Sequence, residues 1–303
     1  MMKAVKQNYT YVLKSVKKDK TLNPMYKDLK NKTFIVAGGS RGVGFEIAKN
    51  LAVNGANVTI IGKTISKHPK LDKTIFSAAE EICDLTKRPN CMAVQCDIRD
   101  SKQIDFAISE TLDVYGKGLY GAVLNASALC LNKTLDQTEK EVELMSAINI
   151  NGTYLFGQKC LQQMINNKRG HLLLIAPPLN MLYTDEWWVN HFYYSMSKFN
   201  MTLMAKFWSK EFPNIGVNTL WPRTTLDTAP VRNILGGGEM VKHSRSPRIM
   251  GDSGGIIFKS DPLICTGNNY IDDEVLASQD IDVEQYRITK EMKEKDLMPD
   301  FFC

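Results

Sequence analysis

The sequence predicts an α/β fold: a single doubly wound domain with a parallel seven-stranded sheet and helices on both faces. Three observations predict it. Short apolar runs of strand length alternate with stretches of helical period through most of the chain, and a glycine-rich turn joins the first run to the first stretch. With 303 residues, 44% of them apolar, there is material for one large core of this kind.

The first strand is Phe34-Ile35-Val36-Ala37, and the helix after it carries Phe45-Glu46-Ile47-Ala48-Lys49-Asn50-Leu51. Asn57-Val58-Thr59-Ile60-Ile61 is a second buried strand, 74–86 a helix with Ile75, Ala78, Ala79, Ile82 and Leu85 on one face, and Met92-Ala93-Val94-Gln95-Cys96 a third strand. This βαβαβ unit is followed by an amphipathic helix over 101–115, a strand at Ala122-Val123-Leu124, a long helical region over 138–166 and a strand at His171-Leu172-Leu173-Leu174-Ile175. A helix over 193–212 and strands at Val217-Asn218-Thr219-Leu220 and Asn269-Tyr270-Ile271 complete the set. Such alternation makes a parallel sheet covered on both sides. Between 224 and 263 the pattern loosens, and Gly236-Gly237-Gly238, Gly251 and Gly254-Gly255 each cost about 1 kcal/mol of helix preference. The expectation there is a mobile substrate loop followed by a poorly supported helix.

Charge divides the chain. Nine lysines against Asp19 and Asp28 give residues 1–32 a net +7, whereas the whole chain carries +5 and residues 33–303 therefore −2. The first segment reads as a basic extension, solvated or touching an anionic surface or a neighbouring subunit, and 33–303 as the folded domain. A nearly neutral body offers no basic face for nucleic acid. No run of about 18 apolar residues suggests a membrane span, and neither a secretory signal nor an arginine-rich transit peptide is present. Seven cysteines without a Cys-x-x-Cys pair read as core thiols of an intracellular, cytoplasmic protein. His171 and His191 are too widely spaced to suggest a metal site.

The candidate chemistry starts at Gly38-Gly39-Ser40-Arg41-Gly42-Val43-Gly44. Glycines let backbone approach a phosphate, and the following helix directs its free N–H groups and positive dipole end there, the outline of a dinucleotide pyrophosphate site. The spacing differs from Gly-x-Gly-x-x-Gly. Together with Tyr194-Ser195-Met196-Ser197-Lys198, Leu124-Asn125-Ala126-Ser127-Ala128 and Asn149-Ile150-Asn151-Gly152, it resembles the short-chain dehydrogenase/reductase family and its Rossmann domain.

The resemblance implies a nicotinamide coenzyme held by the turn from Gly38 to Gly44, with Asn125 beside it and Asp97 hydrogen-bonding the adenine amino group. It implies Tyr194 as acid/base, Lys198 as its partner and as a hydrogen-bond donor to the nicotinamide ribose, and Asn149 holding a water in line with Lys198. It also implies a homo-oligomer, dimer or tetramer, built on the helices of 138–166 and 193–212. A free tyrosine titrates near about 10, too high for base work at neutral pH. A lysine one helical turn later shares its face and stabilises the tyrosinate. At the end of the second strand, Ile60-Ile61-Gly62-Lys63-Thr64 carries no carboxylate for an adenosine ribose, and Lys63 with Arg41 offers positive charge to a 2′-phosphate. NADP is therefore expected rather than NAD.

The segments Gly62-Lys63-Thr64, Pro177-Pro178-Leu179-Asn180, Leu220-Trp221-Pro222 and Pro299-Asp300-Phe301-Phe302 resemble a hydroxysteroid dehydrogenase-like branch of that family. There a sterol-carrier-like lipid-binding module follows the reductase domain. The present chain is expected to lack that module, and Asp300-Phe301-Phe302-Cys303 is not a Ser-Lys-Leu type peroxisomal signal. One departure stands out. The family places a serine after the fifth strand, yet 168–194 contains none, and Ala176-Pro177-Pro178 occupies the place. Loss of one donor to a developing oxyanion costs about 10²–10³ in rate. Asn180 and Thr184 are substitute donors, and a coenzyme-binding sensor or scaffold without efficient turnover is the second reading. Tyr183, Trp187, Trp188, Phe192 and Tyr193 are placed to wall an apolar pocket for a small hydrophobic, lipid-like alcohol or carbonyl.

Overall fold

The structure, a computed structural model, describes residues 29–66, 73–116, 118–179 and 190–300. Seven strands form one sheet in the order β3-β2-β1-β4-β5-β6-β7, every pair parallel. They are β1 (Thr33–Ala37), β2 (Asn57–Gly62), β3 (Cys91–Gln95), β4 (Leu119–Leu124), β5 (Gly170–Ile175), β6 (Ile215–Trp221) and β7 (Asn269–Ile271). Alternate residues of β1 face opposite sides, as strand geometry requires. Phe34 and Val36 join a core with α1 (Gly42–Val53), α2 (Ile75–Thr86) and α8 (Arg248–Lys259). Ile35 and Ala37 join a second core with α3 (Ser101–Tyr115), α5 (Thr153–Asn166) and α6 (Phe192–Glu211).

Burial on both faces explains why these strands read as continuous apolar runs rather than as alternation. Every residue of β1, β5 and β6 is buried. Leu29, within the basic segment by charge, is also buried in the first core.

The long helical region has three parts. α4 (Glu139–Met145) passes through a π-helical turn, Ser146–Gly152, into α5. Asn149 lies inside that turn, the kind of local widening that recurs at functional sites.

The expectation of a poorly supported helix after 224 is corrected. Short π-helical Val231–Leu235 and α7 (Gly237–Lys242) lead to α8, which is well packed against α1. Its glycines are contact surface rather than breakers: a Cβ at Gly251 would come within 2.6 Å of the Glu46 carbonyl oxygen on α1. Gly251→Ala is therefore expected to destabilise the protein by about 1–3 kcal/mol through overpacking, although alanine favours a helix by about 1 kcal/mol over glycine. Chemical denaturation of the two proteins decides the sign.

A cluster of buried charge lies just beyond the last strand. α9 (Asp272–Ala277) begins with Asp272 and Asp273, both fully buried. Arg245, also fully buried, sits between Asp273 and Glu294, and Arg223 pairs with Asp273 and Glu274. Backbone bonds lay 244–246 between 225–227 and 286–288, so the cluster ties three segments that are far apart in sequence.

Candidate active site

Strand order places the site. The chain leaves β1 on one side towards β2 and later returns to its other side at β4, and the crevice at such a fork, outside the carboxyl ends of the strands, is where open parallel sheets bind ligands. Register brings the ends level: Ala37 lies opposite both Ile61 and Leu124, and Leu124 opposite Leu174. A cleft of about 440 Å³ opens along this edge, a volume in the range of small-molecule sites.

At one end lies the glycine turn. Gly38 has φ +72°, a left-handed conformation that favours glycine, and its carbonyl accepts a hydrogen bond from Asn125 Nδ2 at 3.0 Å. Gly44 is demanded by space, since a Cβ there would come 2.6 Å from Asn125 Nδ2. The turn is thus clamped to the end of β4, and Gly38, Ser40, Arg41, Gly42 and Val43 face the cleft. Gly39 and Gly44 do not line it. They let the turn pack, Gly39 against Val36 and Ile60.

The amino end of α1 has no side-chain cap. By contrast α2, α3 and α4 are capped by Thr74, Asp100 and Thr138. Free N–H groups and the helix dipole therefore face the cleft at α1, a donor set that fits a pyrophosphate.

Cations stand at the end of β2. Arg41 donates to Thr64 Oγ1 at 3.2 Å and to the Lys73 carbonyl at 3.0 Å, which folds its guanidinium across that strand end. Lys63 is half exposed, 3.7 Å from Asp97 Oδ2. The Asp97 carboxylate accepts from Arg99 Nε and Nη2, and this bonding, together with the charge of Lys63, holds its pKa below the usual carboxylate value. Asp97 lines the cleft with its charge already balanced.

At the other end are Tyr194 and Lys198, one turn apart on α6 and both buried. Lys198 Nζ donates to the Ile175 carbonyl at 2.6 Å and lies 5.2 Å from the centre of the Trp221 ring. Burial lowers its pKa to about 7, against the opposing pull of Asp300. Burial also pushes the Tyr194 phenol above its ordinary value, and the Asp300 charge adds to that rise.

Asn149 is committed on every side. Its Oδ1 accepts from Ala128 N at 2.7 Å and Ser127 Oγ at 3.0 Å, while its Nδ2 donates to the Ala128 carbonyl and to Ser197 Oγ, each at 2.9 Å. It therefore joins the loop after β4 to the helix that carries Tyr194 and Lys198.

In the place of the family serine stands Ala176, fully buried, followed by Pro177, whose carbonyl accepts from Thr202 Oγ1. Asn180, Thr184, Tyr183, Trp187 and Trp188 lie outside the described residues. Phe192 and Tyr193 do not line the cleft: Phe192 is exposed, and Tyr193 is bonded to Ser146 on the π-helical turn. Its apolar wall is Leu129, Ile148, Ile175, Trp221, Leu226 and Val231 instead. Sequence reasoning also missed Asp300 as a cleft residue, although it had singled out the run Pro299-Asp300.

Among the described residues, six cysteines are free thiols, four of them buried, and no group of three or more His, Cys, Asp or Glu side chains is placed to hold a metal ion. His171 is buried, bonded to the Ser260 carbonyl, its pKa lowered to about 3 by burial. No described helix is long and apolar enough to cross a membrane.

The family profile described as short chain dehydrogenase matches residues 32–234. Hydroxysteroid dehydrogenase-like protein 2 of Xenopus tropicalis is 39% identical over 274 residues, and that of Homo sapiens 37% over 273. Each alignment takes in 89% of this chain and 63% of the relative, so the chain spans less than two thirds of the curated relatives' length. A solved short chain dehydrogenase from Mycobacterium thermoresistibile is similar with a TM-score of 0.80 at 35% identity, covering 90% of this chain and 95% of that one. The NADPH-dependent 3-quinuclidinone reductase of Rhodotorula rubra, at 15% identity, shares the fold with a TM-score of 0.69 over 84% of this chain and 93% of its own.

Proposed function

The chain belongs to the short-chain dehydrogenase family, oxidoreductases that work with a nicotinamide dinucleotide, and from that membership we propose an NADP-dependent enzyme that interconverts a hydrophobic, lipid-like alcohol and its carbonyl. One observation carries the reading: Tyr194 and Lys198 line the same cleft as the glycine turn. NADPH, when bound, supplies the hydride. The turn from Gly38 to Gly44 and the open end of α1 would hold its pyrophosphate, Asn125 keeping the turn in place. Arg41 and Lys63 would meet the 2′-phosphate, with Asp97 near the adenine.

Tyr194, kept as a phenol by its buried setting, gives its proton to the carbonyl oxygen. Lys198 stabilises the tyrosinate left behind and donates to the ribose. Asn149 acts at one remove, fixing the helix that carries both. The apolar wall excludes water and suits a hydrophobic substrate.

Hydride turnover on a panel of hydrophobic carbonyls tests the reading. Ala176 at the serine position favours a second one, a coenzyme-binding sensor or scaffold. Tight NADPH binding with no turnover, unchanged by Tyr194→Phe, supports that alternative.

Coenzyme choice gives its own prediction. Lys63→Ala is expected to weaken NADPH by about tenfold to a hundredfold, the worth of one charge-assisted contact, and to leave NADH nearly unchanged. Fluorescence titration of both coenzymes measures it. Equal loss for the two overturns the assignment of Lys63 to the 2′-phosphate.

Leu144, Tyr154, Leu203 and Phe207 expose apolar surface on α4, α5 and α6. That surface supports a homodimer or tetramer through these helices, which light scattering would reveal. The buried free thiols support an intracellular, cytoplasmic setting.

A further inference from the structure

One charged residue of the cleft, Asp300, comes from the run Pro299-Asp300, far in sequence from Tyr194 and Lys198. Pro299 bridges to Thr224, Thr225 N donates to the Met298 carbonyl at 2.9 Å, and Asp300 N donates to the Arg223 carbonyl at 3.0 Å. Residues 298–300 are thus laid as an added strand along 223–225, which follow directly on β6. Met298 N is in turn held by the His243 carbonyl at 2.8 Å. Upstream, Glu294 is paired with Arg245 and Arg287, which anchors the segment to the buried charge cluster.

This strand delivers Asp300 to the wall of the cleft shared by Tyr194 and Lys198. Five charged side chains line that cleft among the described residues. Arg41, Lys63 and Asp97 belong to the end beneath β2 and β3. Lys198 and Asp300 belong to the reacting end, where the remaining lining is mostly apolar. The Lys198 ammonium is buried and directed at the Ile175 carbonyl. The Asp300 side chain is only partly buried. Its amide is held by the Arg223 carbonyl, two residues beyond Trp221, whose ring lies 5.2 Å from Lys198 Nζ, so it stands on the part of the wall next to the buried lysine.

We infer that Asp300 determines specificity, its carboxylate admitting substrates that are neutral or carry a hydrogen-bond donor next to the reacting carbonyl and rejecting those that carry a carboxylate or phosphate there. The inference rests on reading the cleft as a carbonyl-reducing site. Between apolar walls a like charge is weakly screened, so an anion placed near Asp300 is repelled and a hydroxyl or amine is drawn in as a donor.

The test is a binding measurement on the full chain loaded with NADPH. Cyclohexanecarboxylate and cyclohexanecarboxamide, matched in shape and unreactive, are titrated calorimetrically into the unchanged protein, Asp300→Asn and Asp300→Ser. The unchanged protein is expected to prefer the amide by about tenfold to a hundredfold, and both variants to bring the two affinities within about threefold, mainly by gaining affinity for the acid. A preference that is absent at the start, or that survives both substitutions, overturns the inference, as does failure of every protein to bind either ligand. Because the readout is affinity, it stands apart from the enzymatic reading, which fails separately if no carbonyl is reduced.

Discussion

Tyr194→Phe is expected to lower the rate of carbonyl reduction by about 10²–10⁴-fold, the usual contribution of a positioned proton donor. The substitution removes one oxygen and keeps the ring, so the packing of α6 and the affinity for coenzyme should change little. The loss should fall on kcat, because the proton moves only as the substrate reacts. Lys198→Met should cost both kcat and coenzyme affinity, since its ammonium serves the tyrosine and the ribose.

The pH profile separates the two side chains further. Burial has lowered Lys198 to about 7, so its ammonium is present below that pH and is lost as pH rises through it. kcat/KM for reduction is expected to be level at lower pH and to fall above about pH 7. Steady-state kinetics across pH 5 to 9, roughly the window in which such a lysine changes charge, checks both outcomes. A Tyr194→Phe enzyme of undiminished kcat would remove the phenol from the mechanism.

The largest effect on stability is expected at Arg245. Its side chain is wholly buried and balances Asp273 and Glu294. Arg245→Met fills much of the space yet leaves both carboxylates without that partner. Breaking a buried pair from one side costs about 3–5 kcal/mol, or a fall in Tm on the order of 10 °C for a domain of this size. Adding Glu294→Gln to the Arg245→Met variant should restore part of the loss, because one stranded charge is then gone. Calorimetric melting of the single and double variants measures both values. The effect should also reach the cleft, since Glu294 anchors the segment that carries Asp300.

The sheet and the two ends of the cleft were legible because their signals are local. The turn at Gly38, the strand runs and the Tyr194–Lys198 spacing each express the geometry of a few neighbouring residues. What stayed hidden depends on contacts between distant segments. Gly251 and Gly255 look like helix breakers until α1 lies against them. Asp300 follows no motif spacing, and only its pairing beside Arg223 brings it to the cleft that Tyr194 lines. Phe192 and Tyr193 suggested a pocket wall by composition alone, but helix phase turned them elsewhere, and the wall gained Leu226 from the loop after β6 and Val231 from the π-helical turn beyond it. Asn149 is singled out by its motif, while the link it makes between the loop after β4 and α6 required the fold.

The fork between β1 and β4 is also a seam for recombination. Arg41, Lys63 and Asp97 precede β4 in the chain, whereas Trp221, Leu226, Val231 and Asp300 follow it. A chimaera joined within α4 to a related sequence should inherit nucleotide preference from one parent and substrate range from the other.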